Sequence, residues 1–247
     1  MTGVRNGADF VAVNMLLDGY YFRYHILMCG RFDCHSDISV ILKVFKIDHF
    51  SVEYQQHYNI APSQNIIVVK DSGQRELIQC RWGFLPSWAK DPKMGFKMIN
   101  ARAETLTEKP AFKDAFRNQR CLVVADGFYE WVKEGKVKQP VYIRLKSHTP
   151  VGFAGLYSIW RSPEGENICT CTIITTEANE LLRPIHDRMP AIIPKDKEDL
   201  WLDPKTTEKE KLLPLLTPYS SDEMEFYRVS PIMNKPEYDS AEVITPI

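Results

Sequence analysis

Three residues of this sequence have side chains suited to nucleophilic and proton-transfer chemistry: Cys29, Glu130 and His186. A thiol is a nucleophile, and an imidazole titrates near neutral pH. Glu130 stands between Tyr129 and Trp131, and such an aromatic setting should raise the pKa of its carboxyl by desolvation, which favours proton transfer at neutral pH. Each residue alone also has a structural explanation, because a free cysteine is most often a small buried hydrophobic residue.

A second group of side chains has the chemistry needed to bind a phosphate or a sugar. Asn100 and Arg102 are two positions apart, so on a strand they share one face. The amide of Asn100 can orient an amine or a hydroxyl, and the guanidinium of Arg102 can bind a phosphate through two hydrogen bonds. Arg31, close to Cys29, is a further candidate for phosphate binding. A polar turn with a surface ion pair is the alternative for the first two residues.

Aromatic residues near these positions predict a surface on which unpaired bases stack. The candidates are Trp82, Trp88 and Trp131, together with Pro62. Because a tryptophan is usually buried, we expect at least one of the three to belong to the core.

The charge distribution supports an anion-binding face in the middle of the chain. The net charge of the 247 residues is −1. Residues 70–146 hold 16 basic against 9 acidic residues, a net +7, whereas residues 147–247 hold 10 against 17, a net −7. A local basic face is compatible with nucleic-acid binding, and ordinary solvated surface explains the same counts equally well.

The cysteines and the hydropathy pattern predict a cytoplasmic protein with reduced thiols. No apolar run is long enough to span a bilayer, and residues 10–27 lack the features of a signal peptide. We therefore expect all six cysteines to be thiols. No C-x-x-C pair occurs, and Cys169 and Cys171 would share one strand face, so we predict neither a zinc site nor an organic cofactor.

Short apolar runs bounded by turn residues predict many strands and few helices. The expected strands are Ile66–Lys70, Leu77–Trp82, Arg120–Ala125, Phe128–Val132, Val141–Lys146, Val151–Leu156 and Ile168–Thr175. Helical periodicity occurs at Asp37–Phe45, Pro110–Asn118, Lys195–Trp201 and Glu208–Leu216. Residues 134–136 should form the tip of a hairpin. This pattern predicts a single α+β, mainly β domain with antiparallel sheets flanked by short helices.

Six short motifs occur in an order that resembles the SRAP family, the SOS response-associated peptidases, also called abasic site processing proteins. They are Met28–Phe32, Tyr58–Pro62, Trp82–Trp88, Ile99–Thr105, Arg120–Trp131 and Ile185–Pro190. The resemblance implies a partly open, barrel-like SRAP fold over residues 28–235. It also implies covalent capture of abasic sites in single-stranded DNA by a monomeric protein of the DNA damage response.

The resemblance assigns catalysis to Cys29, Asn100, Glu130 and His186, with His186 protonating the sugar ring oxygen as the ring opens. It assigns DNA binding to Arg31, Asn59, Pro62, Trp88, Arg102, Trp131 and Thr175. The chemistry agrees with this assignment, because an N-terminal cysteine offers an amine with a pKa of about 7.7–8 beside a thiol. The amine forms a Schiff base with the aldehyde of a ring-opened abasic site, and the thiol closes a five-membered thiazolidine ring.

This sequence departs from the family pattern at one place, because 27 residues precede Met28. A cysteine within a chain has no free amine. Either translation begins at Met28, or the extension is removed, for which self-cleavage ahead of the cysteine is one route, or this form is inactive. We expect residues 1–27 to lie outside the fold, without a clear strand and with few long-range contacts.

Two other functions remain as alternatives to covalent capture. A cysteine peptidase would use Cys29, His186 and Glu130 on other proteins, since an oriented imidazole can activate a thiol. A non-covalent binder of single-stranded DNA would use the basic middle of the chain and the tryptophans. Schiff-base chemistry on DNA also permits strand cleavage by β-elimination, so a lyase activity is a further expectation.

Overall fold

The computed structural model of the protein describes residues 16–17, 20–21, 29–47 and 49–247. Fifteen strands lie in these parts of the chain: β1 (Leu16–Leu17), β2 (Tyr20–Tyr21), β3 (Phe32–Cys34), β4 (His49–Phe50), β5 (His57–Ile60), β6 (Asn65–Asp71), β7 (Arg75–Trp82), β8 (Asn100–Arg102), β9 (Arg120–Ala125), β10 (Gly127–Glu134), β11 (Val137–Leu145), β12 (Val151–Arg161), β13 (Asn167–Glu177), β14 (Arg188–Pro190) and β15 (Met224–Arg228). The α-helices are α1 (Ile38–Val44), α2 (Pro110–Asn118), α3 (Glu198–Leu202) and α4 (Lys209–Leu212), and the described parts of the chain also contain seven short 3-10 helices. The mainly β, α+β prediction is confirmed.

The strands form two large sheets. One has five strands in the order β15-β11-β10-β3-β5, and the other runs β14-β13-β12-β9-β6-β7-β4 with β8 added beside β13. Strand β13 also pairs with β7, which closes β6, β7, β9, β12 and β13 into a ring. Most pairings are antiparallel as expected, but β13 pairs in parallel with both β7 and β8.

The turn between β10 and β11 shows how local sequence fixes the register of the sheet. Glu134 pairs with Val137, so Gly135 and Lys136 form a two-residue loop, and Gly135 has a φ of 60°. A two-residue hairpin favours such left-handed positions, which glycine adopts without steric cost. The hairpin places Glu130 opposite Val141, within the sheet that also contains β3.

Aromatic side chains join the two sheets in the core. The ring of Phe32 on β3 lies 5.1 Å from that of Trp82 and 6.1 Å from that of Phe153, between ring centroids. Trp82 is fully buried, and its indole N–H donates to the carbonyl of Ile99. The expectation that at least one tryptophan belongs to the core is therefore confirmed. The packing also fixes β3, which follows directly on Cys29–Arg31.

The prediction that all six cysteines are thiols is wrong for one pair. Cys80 on β7 and Cys169 on β13 form a disulfide, with their Cα atoms 4.6 Å apart. They stand one residue before the parallel pairs that link Arg81 to Thr170 and Trp82 to Cys171. Because they are 89 positions apart in sequence, their spacing gave no sign that the two strands are neighbours.

The prediction about residues 1–27 falls largely outside the described residues. Within the described part of that segment, β1 and β2 pair with each other as an antiparallel two-stranded sheet. The segment therefore contains two short paired strands, and its place outside the fold stays a prediction. Its predicted lack of long-range contacts stays a prediction. Among the described residues, no helix is long and apolar enough to cross a membrane.

Candidate functional site

The candidate site begins with the contact between Cys29 and Glu130. The backbone N–H of Cys29 donates a hydrogen bond of 3.0 Å to Oε1 of Glu130. Strand β3, which follows Cys29, pairs with β10, which carries Glu130, and the backbone N–H of Tyr129 donates to the carbonyl of Arg31. Sheet pairing thus brings the first described residue of the domain to the middle of β10.

Burial changes the proton affinity of both groups. Cys29 is 3% exposed and Glu130 is 4% exposed. Burial raises the pKa of the Glu130 carboxyl, against the charge of His186 and the N–H of Cys29, which lower it. Burial and the neighbouring Glu130 raise the pKa of the Cys29 thiol, and the charge of Arg188 opposes them. The expectation of a desolvated Glu130 on a strand is confirmed.

Backbone geometry at Cys29 is unusual. Its φ is 47°, in the left-handed region that non-glycine residues rarely adopt. Such a conformation costs free energy and persists only where the surroundings impose it. Here the surroundings include the hydrogen bond to Glu130 and the start of β3.

His186 lies in the loop before β14 and is half-buried. The backbone N–H of Arg188 donates to Nδ1 of His186 over 3.0 Å, so Nδ1 is the acceptor and the proton of a neutral ring is on Nε2. Nδ1 also lies 3.1 Å from Oδ1 of Asp187, whose side chain is 84% exposed. The neutral ring can therefore donate a hydrogen bond through Nε2.

Asn100 and Arg102 share strand β8, as the spacing predicted. Asn100 pairs with Ile173 and Arg102 with Thr175 on β13. Asn100 is half-buried, whereas the side chain of Arg102 is exposed. Arg102 therefore offers its guanidinium to a ligand at the surface, beside the strand that carries Asn100.

Arg31 and Asn59, predicted to bind DNA, make their described contacts within the protein. Nη1 of Arg31 donates to Oδ1 of Asn59 over 2.6 Å, and both side chains are buried. Arg31 also donates to the carbonyls of Met233 and Asn234, and Nδ2 of Asn59 donates to the carbonyl of Met233. These bonds fasten the segment 230–239 to β5. Contact of either side chain with DNA stays a prediction.

The other predicted DNA-binding residues differ in exposure. Trp88 is 56% exposed, and Trp131 and Pro62 are half-buried, so all three have surface that a base could cover. The indole N–H of Trp131 donates to Oδ1 of Asn234. Thr175 is fully buried, and its hydroxyl has no hydrogen-bond partner among the residues that the structure describes.

Arg188 is a site residue that the sequence prediction missed, although it lies within the motif that contains His186. It is 8% exposed, and two of its nitrogens contact the carboxylate of Glu104, at 2.7 Å and 2.9 Å. Nη2 also donates to the carbonyl of Thr175 over 2.6 Å. An arginine two positions after a candidate catalytic histidine was the available sequence signal.

Comparison with known proteins identifies the family of this chain. The family profile described as SOS response associated peptidase (SRAP) matches residues 28–236. The chain belongs to the SRAP family. It is 50% identical over 221 residues to abasic site processing protein YoqW of Bacillus subtilis, covering 88% of this chain and 99% of that protein. It is 33% identical over 232 residues to abasic site processing protein HMCES of Xenopus tropicalis, covering 81% and 69%.

Solved structures share the SRAP fold of this chain. A protein from Bacteroides thetaiotaomicron superposes with a TM-score of 0.71 at 29% identity, covering 77% of this chain and 85% of that one. A protein from Bordetella bronchiseptica gives a TM-score of 0.72 at 26% identity, covering 82% and 100%. The SRAP profile begins at Met28, directly before the cysteine whose nitrogen contacts Glu130.

Proposed function

We propose that this protein captures abasic sites in single-stranded DNA through a covalent bond to Cys29. The observation that carries the proposal is the buried contact between the Cys29 nitrogen and Oε1 of Glu130. If that nitrogen is the α-amine of a protein that begins at Cys29, the nucleophile and a proton-transfer group are already in hydrogen-bond contact. The names of relatives from Bacillus subtilis and Xenopus tropicalis, which state abasic site processing, support this substrate.

The reaction needs two bond-forming steps at the sugar. The amine of Cys29 adds to C1′ of the ring-opened aldehyde, and loss of one water gives a Schiff base. The thiol then adds to the same carbon and the nitrogen takes a proton, which closes a thiazolidine ring. Glu130 accepts a proton from the attacking amine and returns it to the departing hydroxyl, as a carboxyl with a raised pKa can do at neutral pH.

His186 and Asn100 act around this centre. With its proton on Nε2, the neutral His186 ring can donate a hydrogen bond to the ring oxygen of the closed sugar and so favour opening to the aldehyde. The amide of Asn100 orients the amine or a sugar hydroxyl. Schiff-base formation also makes β-elimination at the sugar accessible, so a lyase activity on abasic DNA belongs to the proposal.

DNA binding in this proposal uses exposed side chains. Arg102 neutralises a phosphate, and Trp88 offers a surface for an unpaired base. The protein would act as a monomer, in the cytoplasm and on the nucleoid. The basic residues 70–146 supply the favourable potential for a polyanion.

Residues before Cys29 must be absent in the active form. The nitrogen of a peptide bond shares its lone pair with the carbonyl and does not attack an aldehyde. Self-cleavage at this bond would be a hydrolysis, in which water adds to the carbonyl carbon before Cys29 and Glu130 protonates the departing nitrogen. The left-handed φ of Cys29 is a backbone strain that cleavage would relieve. A translation start at Met28 followed by methionine removal would give the same amine.

Intact-mass measurement tests the proposed function. A protein that begins at Cys29, mixed with abasic single-stranded DNA, should give a denaturant-stable species with the mass of protein plus DNA minus one water. The full chain, verified by mass as uncleaved, and a Cys29→Ser variant serve as controls and should give none. An equal adduct yield from the uncleaved chain would rule out capture through the α-amine. Peptide cleavage without DNA would favour a cysteine peptidase.

A further inference from the structure

We propose that Glu104 is a positioning residue of this site, which holds Arg188 so that the backbone N–H of Arg188 orients the His186 ring. The proposal rests on the role of His186 in the proposed function. Glu104 does not touch the nucleophile in the described contacts. It acts through a chain of three residues that runs from the surface to the catalytic histidine.

The first link is the ion pair between Glu104 and Arg188. Both carboxylate oxygens of Glu104 accept from the guanidinium, at 2.7 Å and 2.9 Å, which fixes the plane of that group. The side chain of Glu104 is 48% exposed, whereas that of Arg188 is 9% exposed. Although partial burial raises the pKa of Glu104, the hydrogen bonds and charge of Arg188 outweigh it and keep the pKa below its ordinary value.

The second link is the position of Arg188 at the start of a short strand. Strand β14 has three residues and pairs with β13, where Arg188 stands opposite Glu177. The guanidinium also donates to the carbonyl of Thr175, two residues before Glu177 on β13. The side chain and the main chain thus both anchor Arg188 to β13. Among the described residues, Glu104 is the only carboxylate that forms an ion pair with the buried Arg188 guanidinium.

The third link is the hydrogen bond from the Arg188 backbone N–H to Nδ1 of His186. If Glu104 loses its charge, a buried guanidinium is left with a neutral partner, which is costly in free energy. Movement of the guanidinium toward water relieves that cost and displaces the first residue of β14. The N–H then loses its alignment with Nδ1, and the ring is free to rotate.

Other charged groups face the same centre and must stay unchanged in the test. Glu130 on β10, Asp187 in the loop before β14 and Arg188 itself act on the Cys29 thiol, and Arg102 on β8 acts on Glu104. Glu108 is a matched control for Glu104. It is an exposed glutamate four residues later, and removing its charge changes the net charge of the protein equally.

The decisive experiment measures the N–H···N hydrogen bond itself by NMR on the full chain, without DNA. The scalar coupling across this bond, between the Arg188 amide nitrogen and Nδ1 of His186, should be present in the unmodified protein and in Glu108→Gln. It should be lost in Glu104→Gln. Arg188→Lys keeps the positive charge but lacks the planar guanidinium that binds both carboxylate oxygens, so it should lose the coupling too. The double variant Glu104→Gln, Arg188→Lys should show the same loss as each single variant. A coupling that persists in Glu104→Gln overturns the proposal.

A kinetic readout separates positioning from simple destabilisation or DNA binding. In the form of the protein that yields an adduct, Glu104→Gln should lower the rate at saturating DNA about three- to tenfold, with affinity changed less than about twofold. A weaker affinity with an unchanged saturating rate would overturn the proposal and place the ion pair in DNA binding. If no form yields an adduct, the proposed function fails, while the scalar coupling still decides the role of Glu104.

Discussion

The nitrogen of Cys29 and Oε1 of Glu130 are 3.0 Å apart, although 101 positions separate the two residues in the sequence. The contact depends on the pairing of β3 with β10, because neither residue has a local reason to approach the other. Both residues are almost fully buried. Burial raises the pKa of the Glu130 carboxyl, which is in hydrogen-bond contact with the Cys29 nitrogen. This contact is the basis on which the proposed function assigns proton transfer at residue 29 to Glu130.

Replacing the carboxyl of Glu130 by an amide should slow the capture of abasic DNA without abolishing DNA binding. In Glu130→Gln the amide keeps the shape and can still accept from the Cys29 nitrogen, but it cannot exchange a proton. We expect the rate of adduct formation at saturating abasic DNA to fall by about 10²–10⁴-fold. Single-turnover kinetics and fluorescence anisotropy with undamaged DNA would measure rate and affinity separately. Loss of affinity or of folding would assign Glu130 a structural role instead.

Arg102→Ala should weaken capture through affinity and leave the rate at saturating DNA nearly unchanged. Its side chain is exposed on β8, and a phosphate contact positions DNA without taking part in the chemistry. The slope of affinity against salt concentration should also decrease, because one neutralised phosphate fewer releases fewer counterions. Arg117→Ala, at an exposed arginine of α2, is the control. A normal affinity with a large loss of rate would move Arg102 into the catalytic group.

Asn59→Ala should destabilise the fold by about 2–4 kcal/mol, because it leaves several buried polar groups unpaired. The amide of Asn59 accepts from Arg31 and donates to the carbonyls of Met233, Lys235 and Tyr238. Urea unfolding measures the loss, and Asn65→Ala, at an exposed position of β6, is the control. Unchanged stability together with weaker DNA binding would restore the DNA-contact role predicted for Asn59.

Local patterns in the sequence predicted the elements better than the contacts between them. The alternation of β10 and the turn residues after it gave the hairpin, and the two-residue spacing of Asn100 and Arg102 gave a shared strand face. Two partners of Arg31, the carbonyls of Met233 and Asn234, lie 202 and 203 positions away, and nothing near Arg31 indicates them. The same limit explains why the Cys80–Cys169 pair was missed: strand order, rather than spacing, makes the two residues neighbours.

The contribution of His35 to stability should decrease as pH rises above about 6.5. Although burial lowers the pKa of His35, its hydrogen bond and ion pair with Asp33 raise it above the ordinary value. A raised pKa in the folded state means that the protonated form favours folding, so stability is present at low pH and is lost on deprotonation. Burial also raises the pKa of Asp33 to about 6, so its protonated carboxyl favours folding as well, and most of that contribution is lost by about pH 6, below the range over which His35 deprotonates.

The unfolding free energies of the protein and of His35→Asn, measured at pH 6 and pH 8, test this assignment. The unmodified protein should lose more stability between the two pH values than the variant does. His49→Asn, at an exposed histidine of β4, should lose as much as the unmodified protein. Equal losses in the unmodified protein and in His35→Asn would contradict the pairing of His35 with Asp33.

Reduction of the Cys80–Cys169 disulfide should lower the thermal stability of the protein. The bond joins β7 to β13 beside two parallel register pairs, where the ring of strands closes. It also closes a long loop, since 89 positions separate the cysteines, and constraint of such a loop in the unfolded chain stabilises the fold by about 2–5 kcal/mol. For a protein of this size we expect the midpoint of thermal unfolding to fall by about 5–15 °C.

Serine variants test whether the loss of stability on reduction comes from the Cys80–Cys169 disulfide. A Cys80→Ser, Cys169→Ser double variant should unfold at the same temperature with and without reductant, and it should match the reduced unmodified protein. Cys121→Ser, at a buried free thiol, is the control and should keep its response to reductant. Because β8 pairs with β13 beyond the disulfide, looser closure should also reduce the adduct rate through Asn100. Identical unfolding temperatures for the oxidised and reduced unmodified protein would show that strand pairing alone closes the ring.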